Sequence, residues 1–106
     1  MAPHHGEVSV HARKRGRSRL SVEPEILLGL ANFLATRWPF IRKKRRYIEI
    51  FNSSGDLCGY VVFQRRLDRG ISIITVMSDE MYPPRSLLKI EPVWLDDTNN
   101  TWYWYH

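Results

Sequence analysis

From Met1 to Leu20 the residues are small, polar or basic with no apolar period, so the pattern predicts a mobile arm over 1–20. A period begins at Val22. Ile26, Leu27, Leu30, Phe33, Leu34 and Trp38 recur at the spacing of one helical face. Ser21 stands before them as a capping residue, and Pro24 suits the first turn, where its missing N–H would have had no partner. Glu23 and Glu25 favour the positive end of the helix dipole, and Pro39 pushes Trp38 out of helical geometry. One amphipathic helix is therefore predicted over 22–37.

After Pro39-Phe40-Ile41 the period becomes that of strands. Segments 46–51, 57–66 and 71–77 are rich in Ile, Val, Tyr and Phe, as half-buried strands require. Asn52-Ser53-Ser54-Gly55-Asp56 and Leu67-Asp68-Arg69-Gly70 between them have turn chemistry. These features predict an antiparallel meander of three strands, with the alternating aromatics of 102–105 as a candidate fourth at its edge. Pro83-Pro84 breaks the sheet, and 85–90 is a candidate short helix before Pro92. The fold class is α+β: a flexible basic arm at 1–20, then a single domain at 21–106. That domain holds one amphipathic helix, a three- to four-stranded antiparallel meander and a short C-terminal helix. One helix followed by three strands resembles the coarse topology of a double-stranded-RNA-binding domain. Pro84-Arg85-Ser86-Leu87-Leu88-Lys89 stands where that family has its lysine-rich second helix, and it is shorter and less basic, so the resemblance does not extend to membership.

Charge changes the picture more than composition does. A chain of 106 residues with 43% hydrophobic and 25% charged positions suits one modest core. Residues 1–46 carry 11 Lys or Arg against Glu7, Glu23 and Glu25, a net +8; residues 47–106 carry five against eight acids, a net −3. Such asymmetry points to a polyanionic partner. Cys58 is the only cysteine, which excludes an internal disulfide and a multi-cysteine zinc site and fits a reducing, intracellular setting, cytoplasm or nucleus. The longest mostly apolar run, 26–35, is half the length of a membrane span, so no membrane partner is expected.

If the first hairpin is registered with Phe51 facing Leu57, Arg42 and Lys43 fall opposite Arg66 and Arg65. Lys44, Arg45, Arg46 and Arg69 join them at the same end of the sheet, with only Asp68 to offset eight cations. Clustered like charges repel unless a partner compensates, and phosphates are the natural counter-charge. The arm offers a second basic run, Arg13, Lys14, Arg15, Arg17 and Arg19, interleaved with Gly16 and Ser18 in the manner of segments that order on nucleic acid. Trp102 and Trp104 share one face of the last strand, a candidate surface for base stacking or, as is usual for aromatics in a small domain, part of the core or of a dimer interface.

Catalysis is not indicated. His4, His5, His11 and His106 all sit in segments expected to be mobile, and no phosphate-binding glycine loop or nucleophile elbow occurs. Asp79-Glu80 and Asp96-Asp97 read as turn residues, so no metal site and no cofactor are expected. The sequence thus predicts a small, non-catalytic nucleic-acid-binding protein of viral accessory or regulatory type. RNA is favoured over DNA because the one clear helix uses its face on the core. The alternative is a protein-interaction or assembly module, a homodimer or a binder of a host protein, acting through the aromatic tail or a sheet edge.

Overall fold

The computed structural model describes residues 6–37, 44–66 and 70–105. Its elements are β1 (Gly6–Val8), α1 (Val10–Arg15), a π-helical turn (Gly16–Leu20) and α2 (Pro24–Arg37). There follow β2 (Arg46–Phe51), β3 (Leu57–Arg65), β4 (Ile71–Ser78), β5 (Leu88–Lys89), β6 (Val93–Asp96) and β7 (Thr101–Trp104). The predicted helix and the three predicted strands are α2 and β2 to β4. Pro24 opens α2, and the carbonyl of Glu23 takes the first bonds, from the N–H groups of Ile26 and Leu27. Ser21, expected as the cap, is instead a left-handed residue (φ 55°) between the π-helical turn and α2.

The α+β class holds, but the sheet is larger than the predicted meander and is not purely antiparallel. Seven strands pair in the order β1-β4-β3-β2-β6-β7, with β5 also on β2. β1 runs parallel to β4, while β5 and β6 run parallel to β2. Segment 85–90 contains β5 rather than a helix. Between Pro84 and Pro92 it is too short to nucleate a helix, whereas the free edge of β2 offers it hydrogen bonds at once. The Ile90 N–H continues this contact, donating to the Tyr47 carbonyl at 3.0 Å.

The core lies between the helices and one sheet face. Leu27, Leu30 and Leu34 of α2 meet Ile48, Val61, Phe63, Ile73 and Val76, all fully buried. Ala31 and Ala35 on the same helix face keep it close to the sheet. On the opposite face Tyr60, Val62 and Met77 form a smaller cluster, over which Met81 and Leu87 fold from the segment following β4.

Residues 6–20 are part of the fold rather than a free arm. Val8 and Ala12 are buried in the main core, and Leu20 packs against it. Ser9 caps α1 by accepting from the Ala12 N–H at 3.0 Å, while its hydroxyl donates to the Ile74 carbonyl at 2.9 Å. Its own N–H donates to the Ile73 carbonyl at 3.1 Å, and Arg19 Nη1 donates to the Val76 carbonyl at 2.7 Å. β1, Ser9 and Arg19 together cover the edge of β4, which would otherwise present unpaired backbone groups. A three-residue strand and a six-residue helix are too short to leave an apolar period, which explains the expectation of an arm.

Candidate nucleic-acid interface

The first hairpin closes as expected at Phe51 and Leu57, where Asn52 Oδ1 accepts from the N–H groups of Ser54 and Asp56 and Gly55 takes a φ of 86°. One residue later the register shifts, so that Ile50 faces Gly59 and Arg46 faces Phe63. Cys58 is the extra residue of this bulge, and a glycine beside it in a strand is the signal by which the shift could have been read. The consequence for the basic cluster is a one-residue correction. Continued past Arg46, the true register sets Lys44, not Lys43, level with Arg65.

The bulge decides which cations share a face. Ile48 and Ile50 point into the core, so alternation puts Arg46 on the helix side of β2; Val61 and Phe63 do the same for Arg65 on β3. Arg46 and Arg65 are diagonal neighbours across the pair, with Cβ atoms roughly 7 Å apart. Both Nε atoms are buried, and neither has a hydrogen-bond partner. Lys44 and Arg45, exposed, stand beside them at the start of β2. Arg66 is at the same end but is engaged by the Glu7 carboxylate from β1. Arg42, Lys43 and Arg69, which the sequence assigns to this cluster, lie outside the described residues.

The second basic run lies elsewhere. Arg13, Lys14 and Arg15 are exposed in the last turn of α1, where cations oppose the negative end of the helix dipole. Arg17 pairs with Glu23 at 3.2 Å, both side chains being well exposed. Arg19 binds β4 at Val76, five residues from Ile71, the partner of Arg65, which puts it roughly 17 Å away along the strand. Arg19 is therefore set apart from the sheet-end cluster, whereas Arg13 borders the same surface as Gly6 and Glu7, the residue that engages Arg66.

Trp102 and Trp104 point inward. Trp102 is 5% exposed and its indole N–H donates to the Ile26 carbonyl at 2.8 Å; Trp104 packs against Phe33, centroids 4.9 Å apart. The other face of the same strands carries aromatics that the sequence analysis did not select. Trp94 stacks on Tyr103 (4.9 Å) and Phe51 on Tyr105 (4.5 Å). They lie at the Phe51 end of β2, opposite Arg46, near Asp56, Asp96 and Asp97.

That opposite end also holds Cys58, whose thiol donates to the Asp56 carbonyl at 3.7 Å. Burial, and then the charges of Asp56, Asp79 and Asp97, raise its pKa above the ordinary 9.0. Alkylation by iodoacetamide is expected to reach half its maximal rate above pH 9, and anionic iodoacetate to react more slowly than it does with free cysteine. Mass spectrometry across a pH series checks this; a midpoint at or below 9 would contradict it. Among the described residues no cluster of His, Cys, Asp and Glu is arranged to hold a metal ion, and no helix is long and apolar enough to cross a membrane. Comparison with protein-family models, curated proteins and solved structures returns no match to this chain.

Proposed function

We propose that this protein is a non-catalytic nucleic-acid binder, with RNA favoured over DNA, gripping phosphates at the sheet end marked by Arg46 and Arg65. The observation that carries this reading is the pair of guanidinium groups with buried, unpartnered Nε donors. An unsatisfied buried donor costs about 1–3 kcal/mol, so little holds either half-buried side chain inward when a phosphate outside draws its guanidinium group out. Arginine offers two parallel N–H donors to one phosphate, and two such residues on one face suit consecutive backbone positions. Lys44 and Arg45 add charge without a fixed geometry. RNA is preferred because α2 uses its apolar face on the core and α1 is a six-residue helix held against β4, so neither is presented for reading a DNA groove.

The alternative, an assembly module acting through the aromatic tail or a sheet edge, loses Trp102 to the core and keeps the exposed Tyr103 and Tyr105 at the β7 edge. Binding of a labelled single-stranded RNA over a salt series tests the proposal. With about four phosphate contacts the logarithm of affinity falls against log salt with a slope of roughly −3. A salt-independent affinity, or binding only at millimolar concentration in low salt, would overturn it.

A further inference from the structure

At the end of the fold away from Arg46 and Arg65, the π-helical turn, the start of α2 and the ends of β2 and β6 leave an open cleft of about 570 Å³. Its walls are apolar, from Leu20, Ile26, Ile50 and Leu95, and it also takes in Cys58. Its other lining groups include three carboxylates, Glu23, Glu25 and Asp97. Glu23 is engaged by Arg17. Glu25 and Asp97 are exposed and form no ion pair with any described residue.

We infer that this cleft is a binding site for a small amphiphilic organic cation, an apolar body carrying one ammonium or guanidinium group. The volume lies within the range of small-ligand sites, which are mostly apolar with a few polar groups that fix orientation. The apolar body lies against Leu20, Ile26 and Leu95, which are half-buried, and removes their remaining surface from water. The cationic head stays at the rim between Glu25 and Asp97. An anion is disfavoured there, and a neutral ligand of the same shape gains no charge-assisted contact with either carboxylate. The site is independent of the phosphate-binding end, being formed by none of the same residues.

A matched pair of probes separates charge from shape: 3-phenylpropylamine and 3-phenylpropanol, titrated into the full chain at low salt by calorimetry. Slowing of Cys58 alkylation serves as a second readout, because the thiol borders the cleft. The amine is expected to bind about tenfold more tightly than the alcohol, as one charge-assisted contact predicts, and to protect Cys58. In Glu25→Gln/Asp97→Asn, whose changes are exposed and conserve shape, that preference is expected to vanish while the melting temperature stays nearly constant. Equal affinity for the two probes, binding of neither, or a preference that survives in the double variant would each overturn the proposal.

Discussion

Gly6→Ala is expected to lower the melting temperature by roughly 10–20 °C, corresponding to about 2–3 kcal/mol in a domain of this size. Gly6 pairs with Ile71 in β1 and lies directly against α2. A Cβ placed on it would sit 2.3 Å from the Ala31 Cβ, 2.5 Å from the Ala31 carbonyl carbon and 2.8 Å from the Asn32 nitrogen. Two of these atoms are helix backbone and cannot turn aside, so β1 or α2 must move. Moving β1 also breaks the bond from the Gly6 N–H to Asn32 Oδ1, 2.8 Å long, and uncovers the edge of β4. Thermal unfolding followed by circular dichroism measures the effect. Were residues 1–20 a free arm, the substitution would change stability by less than about 0.5 kcal/mol.

Arg46→Gln/Arg65→Gln is expected to weaken single-stranded RNA binding by roughly 10- to 100-fold, the loss of two charge-assisted phosphate contacts. The same variant is expected to be as stable as the parent or slightly more so. Two guanidinium groups on one face repel one another, less whatever solvent screens, and the substitution relieves that repulsion. No described residue accepts a bond from either Nε, so the substitution removes no hydrogen bond at that atom. A change that costs binding but not stability separates a ligand site from a structural ion pair. Calorimetric melting alongside fluorescence anisotropy checks both halves; a variant that binds normally or melts well below the parent would contradict the assignment.

The helix and the meander were legible because their apolar periods run for many residues. The rest of the sheet was not, since β1 and β5 have three and two residues and gain their hydrogen bonds from edges that exist only after β4 and β2 have formed. The gathering of cations at one sheet end could be read from the hairpin turn, but their register could not, because the bulge at Cys58 shifts it by one. That Arg46 and Arg65 bury their Nε atoms depends on the same shift, which sets them diagonally on the helix side of the sheet. Whether Trp102 belonged to the core or to an interface stayed open for a different reason. Alternation in 102–105 shows that two faces exist, and only the packing of β7 beside α2 decides which is the core.

The central claim is that the sheet end, rather than total positive charge, holds the nucleic acid. The most direct test compares the salt dependence of RNA affinity for Arg46→Gln/Arg65→Gln with that for Lys14→Gln/Arg15→Gln, which removes the same net charge from exposed positions of α1. The first is expected to have a slope shallower than that of the parent by about 1.4, with the second close to the parent. Equal losses in the two variants, or a larger loss in the second, would contradict it.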